Sequence, residues 1–355
     1  MTTFDPLSLQ DIGIRKEFEF LERRAQEVSR SVLLAYDKPK DAIAFRYIDE
    51  REFNAYAGLV DRRYLIELNA GVPLLNLLLF YGLMSNSQFL PGLDASGTAV
   101  SNFTVPFVID PADFDRRAKW EVSCNAIRAF AAGTLADMCS TFVVLHEFGH
   151  VLCGHCEAMR FFGGEDSIAE LVAIKRSSAT NVERRRAWEG DADMVAAVLL
   201  SQFIEDLAAD INLNSRTKEV FADPDGFHLE NTAAIIVASL FVLFCYIEAT
   251  RRNLDKSSTH PQPHVRALLI KNVLHLSLEE RGTFDGDVFH RYLDVRLDDA
   301  MIALESLGLF DPKGYSYGFS RGIDREFARL KILQERYRSD CARWAWIAWG
   351  KKSAP

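Results

Sequence analysis

Residues 146–150 read His146-Glu147-Phe148-Gly149-His150, a pattern that acquires chemical meaning only on a helix. There, two histidines four positions apart leave one face. Their imidazoles can grip a single metal ion while Glu147 points into the same cavity. The flanks agree: Thr141-Phe142-Val143-Val144-Leu145 before and Val151-Leu152 after are apolar, so the helix is expected to be buried. A core helix with two ordinary histidines would read the same way, and further ligands must separate the two.

Catalytic zinc takes three protein ligands and keeps a fourth position for water. Downstream, Ala187-Trp188-Glu189-Gly190-Asp191-Ala192-Asp193 runs into the apolar Met194-Val195-Ala196-Ala197-Val198-Leu199-Leu200. An acidic helix segment is ordinarily a solvated face. Continuous with an apolar run it is expected to be buried, and buried carboxylates need a partner. Glu189 is therefore the candidate third metal ligand beside His146 and His150. Asp193, one helical turn (about 5.4 Å) further on, can accept the outer N–H of a ligating histidine and fix its tautomer. His155 would sit about 140° round a continuous helix from His150 and falls outside the ligand set.

With two further segments, these residues resemble the gluzincin zinc metallopeptidases of the CAAX-prenyl-protease and HtpX-like group. Glu189-Gly190-Asp191-Ala192-Asp193 matches their Glu-x-x-Ala-Asp. Asn54-Ala55-Tyr56-Ala57, followed by Tyr64-Leu65-Ile66-Glu67-Leu68-Asn69-Ala70-Gly71, resembles their Asn-Ala-aromatic strand edging the active-site cleft. Ser258-Thr259-His260-Pro261 with Arg266 resembles their late His-Pro…Arg motif. The related phage-exclusion peptidases of the Lit type, bacterial zinc proteases, carry a similar set. The resemblance implies an α+β, predominantly helical fold, with a zincin-like catalytic core, a small mixed sheet and the HExxH active-site helix. It implies one Zn²⁺ per chain and hydrolysis of peptide bonds with Glu147 as general base. His260 and Arg266 are the candidates to face the oxyanion. The strand around residues 65–69, with Asn54, Leu65, Ile66, Glu67 and Leu68, would receive an extended substrate by β-addition. The chain departs from the group in a long insertion, residues 72–137, between that strand and the zinc helix.

Composition limits the alternatives. The 355 residues are 48% hydrophobic and 26% charged, ordinary for a globular chain, and show no linker; one metallopeptidase domain over 1–355 is expected, ending in a helical region at 280–355. A net charge of −9 argues against a phosphate-neutralising surface, so the expected partner is a protein or peptide substrate and not nucleic acid. Residues 1–30 lack an apolar core and read as neither signal peptide nor anchor. Residues 233–247 form an uncharged apolar run of 15 residues. As a helix it would span about 22 Å, short of the roughly 30 Å hydrocarbon slab, so a core helix without stable membrane insertion is expected. The six cysteines form no disulfide framework, and Cys153-Gly154-His155-Cys156 is expected to supply buried thiols in a reducing cytoplasm. Two other readings stay open. One is a non-catalytic zinc-binding regulatory protein, which would have no need of Glu147. The other is a membrane-associated protease using residues 233–247 as a shallow segment.

Periodicity predicts helices near 9–34, 72–85, 112–137, 139–157, 182–208, 230–253, 264–279, 287–307 and 322–346. Strands are expected near 42–49, 63–69 and 103–109, where β-branched and aromatic residues gather between turn residues.

Overall fold

The apolar runs become helices layered on one small sheet. The computed structural model describes residues 2–93, 104–110, 125–163, 167–169, 179–253, 260–282, 284–310 and 319–348. Helix α1 (Ile12–Ala35) starts at Asp11, whose side chain accepts from the Ile14 amide, and buries a stripe through Phe18, Leu21, Ala25 and Val28. Strands β1 (Thr3–Phe4), β2 (Ile43–Ile48), β3 (Ala55–Val60), β4 (Arg63–Asn69) and β5 (Ser167–Ala169) form a mixed sheet in the order β1-β2-β4-β3-β5. Among the described residues, only the β2–β4 pairing is parallel. The β3–β4 hairpin turns through Asp61 and Arg62, both at positive φ (48° and 66°), as a two-residue turn matched to strand twist requires.

Helix α2 (Gly71–Met84) is buried along almost its whole length and packs on α3 (Ala126–Leu152), with Asn76 Nδ2 donating to Ser140 Oγ (2.8 Å) between them. Next come α4 (His155–Gly163), α5 (Ala179–Asp210), α6 (Ser215–Phe221), α7 (His228–Asn253), α8 (Pro263–Glu279), α9 (Gly286–Ser306) and α10 (Phe319–Cys341). Helices α3 and α7 are long and apolar enough to cross a bilayer, but 72% and 89% of their apolar windows are buried inside the fold. The fold is α+β and predominantly helical, as the motifs implied.

Four expectations need correction. The strand around residues 65–68 cannot add a substrate strand, because β4 lies inside the sheet: β2 and β3 take both its edges, leaving β1 and β5 outermost. Asn54, just before β3, is buried with its Nδ2 donating to Tyr56 Oη (2.8 Å). Helices expected at 112–137 and 139–157 are one helix from Ala126 to Leu152, broken instead at Gly154; residues 111–124 lie outside the described residues. Of the strand expected at 103–109, the described residues keep a single bridge, Val108 to Glu52. Pro106 has no N–H for a ladder, and its carbonyl accepts the Tyr246 hydroxyl (2.6 Å). Helix α6, capped by Asn214, was not among the expected helices.

Where α3 crosses α5 the backbones nearly touch. A Cβ on Gly149 would lie 2.7 Å from Ala192 O and 2.8 Å from Ala192 Cα. Backbone cannot yield as a flexible side chain can. Gly149→Ala should therefore force the helices apart and cost about 1–3 kcal/mol, the usual price of overpacking a core. Denaturant unfolding checks this, and unchanged stability would contradict the crossing described.

Candidate metal centre

Helices α3, α5 and α8, with the loop before α8, converge on one cluster of buried polar residues. Helix α3 contributes His146, Glu147 and His150; α5 contributes Glu189 and Asp193; the loop before α8 contributes His260, and α8 itself Arg266. All seven are buried, none more than 8% exposed. Apolar flanks on α3 and α5 make them core helices, and Gly149 allows the crossing that brings their polar faces together.

His146 Nε2 lies 3.1 Å from His150 Nε2 and 3.1 Å from Glu189 Oε2, and His150 Nε2 lies 3.4 Å from the same oxygen. Ligands about 2.0–2.1 Å from a tetrahedral zinc are separated by about 3.3 Å, so the three atoms match the edges of such a site. Donor accounting points the same way. Asp193 Oδ1 lies 2.9 Å from His146 Nδ1. An ionised carboxylate only accepts, so the His146 proton sits on Nδ1 and its Nε2 presents a lone pair. That lone pair would face a carboxylate oxygen, which is repulsive unless a second proton or a metal cation stands between them. Among the described residues, His146, His150 and Glu189 form a metal-competent set of three.

The surroundings hold these ligands ionised and aimed. Burial would raise the Glu189 carboxyl, but the facing His260, His150 and His146 imidazoles hold it well below the ordinary carboxylate range. Burial is likewise overcome at Asp193, kept low by Arg266 and His146. Arg266 grips Asp193 with two hydrogen bonds, Nε to Oδ2 and Nη2 to Oδ1 (both 2.8 Å), and its guanidinium lies 4.1 Å from the Phe244 ring centre. Burial lowers the His150 imidazole, favouring the neutral form that ligates metals.

The structure thus divides the two residues expected at the oxyanion. His260 Nε2 lies 2.7 Å from Glu189 Oε2, and its ring lies 5.7 Å from that of His146. Arg266 stands one layer behind, occupied by Asp193, so its charge reaches the site through Asp193 and His146. Ser258 and Thr259 of the same motif lie outside the described residues.

Other contributors escaped sequence reasoning. His155 Nδ1 lies 3.0 Å from His150 Nδ1, because the chain turns at Gly154 (φ 74°) and does not continue as a helix. Asp191 points away from the ligands to α10, where Gln334 Nε2 (2.8 Å) and Arg338 (2.9 and 3.1 Å) donate to it; burial still raises its carboxyl to about 6. The CxxC thiols Cys153 and Cys156 are buried and free, as are Cys139, Cys245 and Cys341; burial pushes the thiol of each well above its ordinary value.

His146→Ala or Glu189→Ala should abolish stoichiometric metal, measured by elemental analysis after dialysis. Asp193→Asn should keep the site but weaken affinity by roughly 10- to 100-fold, as loss of an orienting partner typically does. Full retention in Glu189→Ala would place the third ligand elsewhere.

Residues 122–273, which carry α3, α5 and α7 and most of α8, match the model of Peptidase family M48. No curated protein matches significantly, and no solved structure does. The His146–His150–Glu189 cluster lies inside the matched span, so the part of the chain that holds the site is similar to Peptidase family M48, a family of metallopeptidases.

Proposed function

We propose that this protein is a zinc-dependent endopeptidase whose substrate is an extended polypeptide. The observation that carries the reading is the spacing of His146 Nε2, His150 Nε2 and Glu189 Oε2 at tetrahedral edges, with the buried Glu147 on the same helix. Zinc held by these three atoms would lower the pKa of a water from 15.7 towards about 7.

The remaining chemistry falls to side chains. Glu147 takes the proton of the attacking water and later delivers it to the leaving amine nitrogen, so one carboxylate serves first as base and then as acid. His260, beside Glu189 at the cluster, supplies a hydrogen-bond donor where negative charge develops on the scissile carbonyl. Arg266 acts as a positioning residue, keeping Asp193 ionised so that the His146 proton stays on Nδ1. Burial around the cluster excludes bulk water and strengthens each of these interactions. Among the described residues the sheet ends at β1 and β5, and an incoming strand would pair at one of these. The β5 side is favoured, since β5 pairs with β3 and β3 packs against α3. A cytoplasmic location, expected from the buried thiols, belongs to this same reading.

Glu147→Gln should retain zinc and fold while lowering turnover of an unstructured protein substrate by a factor of at least about 100. The measurement pairs metal content with initial rates on casein-like polypeptide. Undiminished hydrolysis by the zinc-loaded variant would remove Glu147 from the mechanism. Zinc-loaded wild type that cleaves no polypeptide under any activating condition would favour the non-catalytic alternative.

A further inference from the structure

His146 and His150 face the metal position with the same atom, Nε2, yet their outer nitrogens meet different groups. His146 Nδ1 has Asp193, which can only accept. His150 Nδ1 has Nδ1 of His155, 3.0 Å away, an atom that accepts or donates according to its tautomer. His155 is 1% exposed, and its ring stacks on Trp188 with centres 5.3 Å apart and planes at 15°. Trp188 directly precedes Glu189. The turn at Gly154 is pinned from outside, since Trp346 and Ile347 amides donate to Leu152 O (2.8 and 3.3 Å) and Ala345 N would sit 2.7 Å from any Cβ at position 154. The ring facing His150 is therefore held on both sides.

A neutral imidazole carries one proton on two nitrogens. For His150 to offer a metal the lone pair of Nε2, its proton must sit on Nδ1. The atom facing that N–H must then be bare, which puts the His155 proton on Nε2. The opposite arrangement, His155 Nδ1–H donating, moves the His150 proton onto Nε2, into the metal position. We propose that His155 is a positioning residue that accepts the Nδ1–H of His150 and so holds it in the metal-binding tautomer. This rests on reading the cluster as a metal site and extends it. A neutral, reversible acceptor holds His150 where a fixed anion holds His146, so metal binding and the His155 tautomer are linked.

The test separates acceptor from packing. His155→Phe keeps an aromatic ring against Trp188 but removes the acceptor; His155→Asn restores an acceptor oxygen near the Nδ1 position. Zinc affinity is measured by competition with a chelating indicator on the full chain, alongside thermal unfolding of the metal-free protein. The expected result is a loss of roughly 10- to 100-fold in His155→Phe and recovery of most of it in His155→Asn. Wild-type affinity in His155→Phe, or equal loss in both variants, would overturn the proposal. Should the variants not fold, nitrogen-15 spectra of the histidines in zinc-loaded wild type give the tautomers directly. Protons on His150 Nδ1 and His155 Nε2 support the proposal, and a proton on His155 Nδ1 overturns it. Wild type that binds no zinc would overturn the metal reading itself, an outcome distinct from a bound zinc that ignores His155.

Discussion

The close crossing of α3 and α5 is the constraint on which the rest depends. Gly149 lies between His146 and His150, and Ala192 lies between Glu189 and Asp193, so the point of contact on each helix sits between the functional residues. With no Cβ at Gly149, the two backbones approach until a carboxylate on one helix meets imidazoles on the other. Any larger residue there would move Glu189 outward and open the spacing that a single metal ion requires. The ligand motif is therefore more than its ligands: the residue between the histidines sets the distance at which they can act.

A buried site built this way concentrates negative charge. Glu189, Asp191 and Asp193 lie within five residues of one core helix, and each is at most 2% exposed. Burying an ion costs several kcal/mol even after relaxation, so each needs its own compensation. Glu189 receives three imidazoles, Asp193 the paired hydrogen bonds of Arg266 from α8, and Asp191 those of Arg338 and Gln334 from α10. This explains why α8 and α10 both lie along α5. The C-terminal segment contributes again at the Leu152 carbonyl, where Trp346 and Ile347 satisfy the end of the HExxH helix.

Much of the site was legible because it is local. His146 with His150, and Glu189 with Asp193, are pairs one helical turn apart, and apolar flanks told that both helices are buried. What escaped depends on long-range packing. The position of β4 inside the sheet follows from parallel pairing with β2 across the β3 hairpin, which no pattern within residues 63–69 reveals. An unbroken helix would carry His155 away from His150, yet the chain turns at Gly154 and brings the ring back to it; a glycine immediately before a histidine is the available signal. The partners of Asp191 come from residues 334 and 338, more than 140 positions away, and periodicity carries no trace of that encounter.

One zinc ion held by His146, His150 and Glu189, with Asp193 behind His146, is the arrangement we propose. Anomalous diffraction at the zinc absorption edge, on crystals of the full chain grown with zinc, tests it most directly. One strong peak per chain is expected, about 2.0–2.2 Å from both Nε2 atoms and from a Glu189 oxygen. A peak bonded to Asp193, or one beside Cys153 and Cys156 with the His146–His150–Glu189 position empty, would contradict it.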